Sequence, residues 1–170
     1  SSDIQVIEKM VHLGANPKTI DINFALDNRQ ELKRVLSLKP DLSKIELDMD
    51  LVMNDNELLN LLLASGMPVS VKGKFPDQCP ILFSAIKFGN MQAMKTLIQK
   101  GANIRETCNY GFGGSPLQTA IYYEQTEMIT YLLDLKVSPN EKDWTGKSAL
   151  ILACGSDNDQ IINMLLDRGA

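Results

Sequence analysis

The sequence predicts an all-α repeat solenoid, because one short helical signature returns six times along its 170 residues. In each copy an apolar residue or pair is followed three or four positions later by another, and a turn comes soon after. Such a unit buries its apolar face only against its neighbours, so the stack offers a long surface rather than a pocket. The six copies are Val6-Ile7 with Met10-Val11, Leu32 with Val35-Leu36, Leu58-Leu59 with Leu62-Leu63, Met94 with Leu97-Ile98, Met128-Ile129 with Leu132-Leu133, and Ile161-Ile162 with Leu165-Leu166.

The turns that close these copies give the period of the repeat. Gly66 and Gly101 are 35 residues apart, Gly101 and Lys136 are 35 apart, and Lys136 and Gly169 are 33 apart. Glycine suits the end of a helix because it adopts the left-handed conformation without steric cost. Lys39 and Lys136 stand in the place of this glycine, and we expect each to cost about 1 kcal/mol.

Four short motifs stand in the C-terminal half: Ser115-Pro116-Leu117-Gln118-Thr119-Ala120, Ser148-Ala149-Leu150-Ile151-Leu152-Ala153, the looser Pro80-Ile81-Leu82-Phe83-Ser84-Ala85, and Asp143-Trp144-Thr145-Gly146. The first three resemble the Thr-Pro-Leu-His-x-Ala opening of the first helix of the ankyrin repeat, which has a period of about 33 residues, and the fourth looks like that family's hairpin tip. The resemblance is clear over about 75–170 and degenerate over 1–74. It implies an ankyrin stack of about five helix pairs plus a leading helix, with β-hairpin fingers mainly in the C-terminal half.

The opening motif also has a physical explanation. A serine such as Ser115 caps a free backbone amide at the start of a helix, and the following Pro116 has its φ angle already set for the first helical position. The small Ala120 lets the partner helix approach closely. We therefore expect a capped first helix, packed tightly at its alanine, in each C-terminal repeat.

The closing turns lie closer together in the N-terminal part of the sequence than in the C-terminal part. Gly14 and Lys39 are 25 residues apart, and Lys39 and Gly66 are 27 apart, which leaves room for helix pairs but not for hairpins. We expect irregular repeats over 15–66, including a helix over 20–26, and long fingers over 69–79, 105–114 and 141–147. Because the stack ends on a closing turn without a polar cap, we expect 1–170 to be a single ankyrin-repeat domain of a longer protein.

Composition narrows the classes of function. A net charge of −4 and a pI of about 5.0 do not indicate a nucleic-acid surface. The sequence shows neither an apolar run of roughly 18 residues nor a basic-then-apolar leader, so no membrane contact is expected. Three widely spaced cysteines fit a reducing compartment better than a disulfide framework. We therefore expect a cytoplasmic or nuclear protein, or one in the host cytosol if it is a secreted effector.

The residues that could carry chemistry do not form a catalytic pattern. His12 is the only histidine and lies several repeats from Cys79, whereas a Cys-His dyad needs contact at about 3 Å. Cys154 is expected to be a small core residue. The acidic stretch over 46–57 is interpreted as a solvated helix face, and the glycines over 111–114 as part of a finger rather than a phosphate site. We expect no enzyme, no cofactor and no catalytic or metal-binding residue.

The aromatic residues indicate a binding surface instead. In ankyrin proteins, as the resemblance implies, partners contact the finger tips and the exposed inner ends of the first helices. Clustered exposed rings are typical anchors of interfaces, because they bury much area at small entropic cost. Individual rings could also pack against neighbouring fingers, and that alternative stays open. The predicted partner-binding residues are Phe75, Lys87, Phe88, Tyr110, Phe112, Tyr122, Tyr123, Trp144 and Lys147.

Two functions follow as expectations. The first is a protein-protein interaction module that binds another protein on the concave face and finger tips. The second is a targeting or substrate-recruiting segment of a longer multidomain protein, such as a secreted pathogen effector, whose catalytic domain lies outside these residues. Further repeats or domains are also expected to contact the uncapped C-terminal end.

Overall fold

The computed structural model describes residues 2–45, 47–73, 78–109, 114–143, 145–156 and 158–170. Within these ranges the chain forms ten α-helices in sequence and no extended strand, so the predicted all-α repeat fold is confirmed. The helices are α1 (Ser2–His12), α2 (Arg29–Ser37), α3 (Met49–Met53), α4 (Asn56–Ala64), α5 (Ile81–Lys87), α6 (Met91–Gln99), α7 (Pro116–Tyr122), α8 (Thr126–Asp134), α9 (Ala149–Cys154) and α10 (Asp159–Asp167).

The helices pack as successive pairs. Helices α3 and α4, α5 and α6, α7 and α8, and α9 and α10 form four pairs, and the first helices α5, α7 and α9 lie side by side. A turn of 3-10 helix over Asn23–Ala25 takes the place of a first helix in front of α2, and α1 leads the stack. This arrangement gives the expected five units and leading helix, with the earliest first helix reduced to a single turn.

One apolar position recurs in the second helix of every unit and contributes a side chain to the core in each. It lies four residues before the residue that closes each repeat, and from α2 onward its side chain is fully buried. In α1 the same position is Met10, which is 54% exposed, because no first helix packs over it within the described residues. The buried members are Val35, Leu62, Leu97, Leu132 and Leu165.

The helix ends follow the expected capping rules. The Ser115 side chain accepts a hydrogen bond from the Gln118 amide, and the Ser148 side chain accepts one from the Ile151 amide. Ala85, Ala120 and Ala153, at the equivalent place of α5, α7 and α9, are fully buried where the helices meet. The prediction of tight packing at the alanines is therefore confirmed. The prediction of capped first helices holds for α7 and α9 and is wrong for α5, because Pro80 stands at its N-cap and has no side-chain oxygen to accept a hydrogen bond.

The closing turns use the left-handed conformation at lysine as well as at glycine. Lys39 has φ of 57° and Lys136 has φ of 62°, in the positions that Gly66, Gly101 and Gly169 occupy in other repeats. A side chain there crowds the following carbonyl oxygen, whereas glycine does not. The left-handed conformation of the two lysines thus destabilises the folded protein.

Replacement of Lys136 by glycine is expected to stabilise the protein. Removing the strained side chain should raise the free energy of unfolding by about 0.5–1 kcal/mol after the entropy that glycine gains in the unfolded chain is subtracted. Thermal unfolding followed by circular dichroism measures the change. Leu135→Gly is the matched control, because Leu135 has φ of −75° and gains nothing from glycine. A lower midpoint for Lys136→Gly would contradict the argument.

The predicted helix over 20–26 is wrong. The Asp21 side chain accepts hydrogen bonds from the Asn23 amide at 2.9 Å and from the Asn23 side chain at 2.7 Å, which fixes a turn instead. Within 20–26 the chain forms a single 3-10 turn, Asn23–Ala25, and Asn28 then caps α2. A side chain that bonds the backbone two residues ahead offers it an alternative to a helix, and here that alternative prevails.

The three long connections are closed by single β-bridges. Lys72 pairs with Pro80, Cys108 with Gly114, and Lys142 with Ser148. The tips between these pairs include residues outside the described ranges, so the β-hairpin fingers remain a prediction. We call 69–79, 105–114 and 141–147 the first, second and third fingers.

The cysteines differ from the sequence-based expectation. Cys79 and Cys108 form a disulfide with their Cα atoms 5.5 Å apart, so the argument against a disulfide is wrong. The two residues are 29 positions apart, yet the stacking of successive repeats brings the first and second fingers together. Cys154 is exposed rather than buried, because nothing described packs on the outer face of α9. The equivalent Ile121 of α7 is fully buried.

Candidate protein-binding surface

Aromatic side chains stand at the ends of two neighbouring first helices. Phe88 is the residue after α5 and is 38% exposed, and Tyr122 ends α7 and is 44% exposed. Tyr123 follows as the half-buried C-cap residue. Each helix stops there because the next residues, Gly89 and Glu124, turn through left-handed conformations with φ of 67° and 54°. The turns present the rings at one edge of the stack, which we call the aromatic edge.

The rings and a lysine at the aromatic edge contact one another. The Tyr122 and Tyr123 rings meet edge to face, with centroids 5.2 Å apart and planes at 82°. The Lys87 ammonium lies 5.7 Å from the centroid of the Phe88 ring, within the range of a cation–π contact. These contacts limit the freedom of the side chains and favour a surface that is organised before a partner arrives.

The two helix ends belong to one continuous surface. A Cβ atom placed on Gly89 would lie 3.1 Å from Nε2 of Gln125, so the loop after α5 touches the loop after α7. In the next repeat, the Asn158 side chain donates a hydrogen bond to the Glu124 carboxylate at 3.4 Å. The loops of three successive repeats therefore form one edge, and Phe88, Tyr122 and Tyr123 lie on it.

The structure divides the predicted site residues between two ends of the first helices. Lys147 is exposed and lies in the third finger, before the N-terminal end of α9. Lys87, Phe88, Tyr122 and Tyr123 lie at the C-terminal ends of α5 and α7, and a seven-residue helix is about 10 Å long. The surface therefore has two parts, a finger side and the aromatic edge. Four further predicted residues lie outside the described ranges: Phe75, Tyr110, Phe112 and Trp144.

The base of the third finger is rigidly organised around Asp143. Its carboxylate oxygen accepts hydrogen bonds from the amides of Thr145 and Lys147 at 2.8 and 2.9 Å, and from the Thr145 hydroxyl at 2.7 Å. Burial alone would raise the pKa of Asp143, but these hydrogen bonds hold it below its ordinary value. The turn that carries Lys147 is thus fixed by a charged, multiply bonded side chain.

Gln118 is a structural residue of this region that the sequence analysis did not single out. Its side chain is buried, accepts a hydrogen bond from the Ser115 amide at 2.8 Å, and donates to the carbonyl oxygens of Lys147 and Glu141 at 3.1 and 3.3 Å. It therefore joins α7 to the third finger. The sequence signal was present, because serine followed three residues later by glutamine is the capping-box pattern.

The described residues show neither a metal cluster nor a membrane span. Across the described ranges, no three His, Cys, Asp or Glu side chains come together in a group that could hold a metal ion. The helices in those same ranges lack the length and apolar character to cross a bilayer.

Comparison with known proteins places these features in a family. The family model for ankyrin repeats matches residues 49–143 and 82–170. The chain is 27% identical over 156 residues to an ankyrin repeat protein of fowlpox virus (strain NVSL), covering 89% of this chain and 41% of that protein. It is 28% identical over 120 residues to an ankyrin repeat-containing protein of Treponema pallidum (strain Nichols), covering 70% and 39%. It is also 28% identical over 99 residues to human ankyrin repeat and SOCS box protein 3, covering 56% and 19%. The chain thus spans less than half the length of each of these relatives.

Proposed function

Because the chain belongs to the ankyrin repeat family, whose members are generally protein-protein interaction modules, we propose that it binds a partner protein on its concave face and finger tips. The observation that carries this proposal is the aromatic edge. Phe88 and Tyr122 are about two-fifths exposed, at positions where neighbouring repeats meet. Large exposed rings that touch one another are typical of the anchors of protein interfaces.

The finger side forms the second part of the proposed surface. Phe75, Tyr110, Phe112 and Trp144 are proposed to contact the partner from the fingers, with Lys147 at the rim. At the C-terminal end of α5, Lys87 is proposed to lie at the rim of the surface beside Phe88. A partner that touches both parts spans the length of a first helix and several repeats, which suits an extended or helical segment better than a small molecule.

A second candidate function is recruitment within a longer protein. The chain spans 41% of the fowlpox virus relative and 19% of the human relative, and the human relative is named for a SOCS box beside its ankyrin repeats. We propose that any catalytic step belongs to residues outside this chain, because ankyrin repeats are generally non-catalytic. A cytoplasmic or nuclear site of action, or the host cytosol for a secreted effector, remains our proposal for the compartment. A reducing compartment of that kind would hold Cys79 and Cys108 as thiols most of the time.

Removal of the three rings of the aromatic edge is expected to abolish partner capture. In Phe88→Ala/Tyr122→Ala/Tyr123→Ala, each lost anchor should cost about 2 kcal/mol of binding free energy or more, because interface anchors dominate affinity. Capture of partners by the immobilised protein, with identification by mass spectrometry, gives the readout against the unsubstituted chain. The thermal midpoint should change little, because two of the rings are exposed.

The control for this experiment is another exposed ring. Phe24→Ala removes a phenylalanine that is 42% exposed in the 3-10 turn before α2, two units before α5, and it should leave capture unchanged. If the triple variant captures the same proteins but melts at a much lower temperature, the three rings belong to the core and the proposed surface is wrong.

A further inference from the structure

The Cys79–Cys108 disulfide joins the bases of two successive fingers. Cys79 directly precedes Pro80, which bridges to Lys72 and closes the first finger. In the second finger, the Cys108 amide donates to the Gly114 carbonyl at 2.9 Å, and the Gly114 amide donates back at 2.8 Å. The bond thus links two closed finger bases across one complete repeat.

The fingers that the disulfide joins are also those that carry most of the proposed finger contacts. Phe75 lies in the first finger, and Tyr110 and Phe112 lie in the second. When two such segments are joined covalently, fewer relative arrangements remain open to them, so less freedom is lost when a partner binds both. The disulfide therefore lies at the bases of the two fingers that contain these residues, and neither cysteine belongs to the aromatic edge.

We propose that the Cys79–Cys108 pair is a redox clip. In its oxidised form it holds the described bases of the first and second fingers together and strengthens partner binding, and in its reduced form it lets these bases separate and weakens binding. The binding half of this proposal rests on the proposed function, whereas the ordering of the fingers does not.

The reaction is thiol–disulfide exchange with a small disulfide of the glutathione class. Closing the clip takes two electrons from the two thiols: the Cys79 Sγ–Cys108 Sγ bond forms, the S–S bond of the oxidant breaks, and the two thiol protons end on two molecules of reduced thiol. Opening is the reverse, with two molecules of reduced thiol becoming one disulfide. Each direction passes through a mixed disulfide between one cysteine and the small thiol.

The structure assigns that mixed disulfide to Cys79. Cys79 is half-buried, whereas Cys108 is only 5% exposed, so an incoming thiolate reaches the Cys79 sulfur and Cys108 leaves. In the closing direction, the oxidant attaches to Cys79 and the Cys108 thiolate then displaces it. Accessible sulfurs exchange readily and buried ones slowly.

The clip is tested on a Cys154→Ser background, which leaves the pair as the only cysteines in the chain. Amide hydrogen exchange is measured in oxidised protein, in protein reduced with dithiothreitol, and in the Cys79→Ser/Cys108→Ser variant. We expect amide exchange at Cys108 and Gly114 to be about tenfold faster or more in the two open forms, because the pair of backbone hydrogen bonds between these residues then opens locally. The Gly14 and Ala15 amides, which close the turn after α1 far along the chain from the clip, exchange by local opening and serve as the internal reference; their exchange should not change. Equal exchange at the two finger amides in closed and open forms overturns the proposal.

Partner binding is measured on the same three samples. The captured partner should bind the oxidised protein about tenfold more tightly than the open forms, an effect typical of preorganisation. If the affinity is equal in all three samples although amide exchange at Cys108 and Gly114 differs between them, the proposal that the clip regulates binding is overturned. If no partner is captured in any form while finger exchange still differs, the proposed function fails and the ordering of the fingers by the clip stands.

The preference for attack at the Cys79 sulfur is tested in a separate experiment. With oxidised glutathione, the Cys108→Ser variant should form a glutathione adduct at Cys79 about tenfold faster than Cys79→Ser forms one at Cys108, because partial exposure controls thiol reactivity. Intact mass spectrometry gives both rates. Equal rates, or a faster adduct at Cys108, overturn the assignment of Cys79 as the accessible sulfur.

Discussion

Reduction of the Cys79–Cys108 disulfide is expected to lower the free energy of unfolding by about 3.5 kcal/mol. The bond closes a loop of 29 residues, and the chain-entropy relation gives this value for a loop of that size. At roughly 2–4 °C per kcal/mol for a chain of this length, the thermal midpoint should fall by about 10 °C. The effect is large because the bond restricts the unfolded chain across a complete repeat.

The measurement compares thermal unfolding with and without dithiothreitol. The Cys79→Ser/Cys108→Ser variant should melt at the lower temperature in both conditions, and Cys154→Ser should behave as the unsubstituted chain does, because Cys154 is a free, exposed cysteine. A shift of less than about 2 °C on reduction would mean that the unfolded chain is already held together by other contacts in this repeat.

Sequence alone was sufficient for the second helices and their turns. Their apolar residues recur at helical spacing, and the position of Leu62, Leu97, Leu132 and Leu165 is fully buried in each of these repeats. A pattern that repeats six times is also hard to produce by chance, so each copy supports the others. Even the unusual lysine at φ of 62° could be predicted from its place in the series.

The first helices of the early repeats could not be predicted in the same way. The segment over 20–26 has apolar residues at spacings that suit a helix, but the Asp21 side chain fixes a local turn by bonding the Asn23 amide. Helix periodicity reports which face is apolar, not whether a polar side chain competes for the backbone. A short segment with one competing side chain is therefore where the pattern fails.

The pairing of the cysteines depended on tertiary structure. Cys79 and Cys108 are 29 residues apart, and only the stacking of two fingers brings their Cα atoms to 5.5 Å. The exposure of Cys154 has the same origin: the equivalent Ile121 is buried by the following repeat, whereas nothing described covers α9. Both errors arise because burial in a solenoid is decided by the neighbouring unit rather than by the unit itself.

The exposure of the residues at the C-terminal ends of α5 and α7 could be predicted from the sequence, but the arrangement of the proposed site residues could not. The residues after the packed alanines turn outward as expected, which places Phe88 and Tyr122 in solvent. The sequence did not reveal that Lys147 lies at the opposite end of the first helices from these rings. The separation follows from the length of α7, which a repeat alignment does not convey.

Gln118→Ala is expected to lower the free energy of unfolding by about 2–4 kcal/mol. The variant deprives the buried Ser115 amide of its acceptor at 2.8 Å, and it removes the donor that holds the Lys147 and Glu141 carbonyls. Leaving a buried polar group without a partner costs about 1–3 kcal/mol, and the lost link to the third finger adds to this. Urea unfolding measures the loss. Gln99→Ala, which truncates an exposed glutamine at the end of α6, is the matched control and should change stability by less than about 0.5 kcal/mol.

Substitution of Gln118 by histidine separates the hydrogen bonds from the volume of the side chain. Histidine occupies this place in the family's Thr-Pro-Leu-His-x-Ala opening, and a neutral ring can accept from the Ser115 amide at one nitrogen while the other donates its single N–H to one of the two finger carbonyls. Gln118→His should therefore recover most of the stability that Gln118→Ala loses. The hydrophobic Gln118→Leu, of similar size, should not, because it leaves the same groups unpaired. If leucine is tolerated as well as histidine, packing rather than hydrogen bonding joins α7 to the third finger.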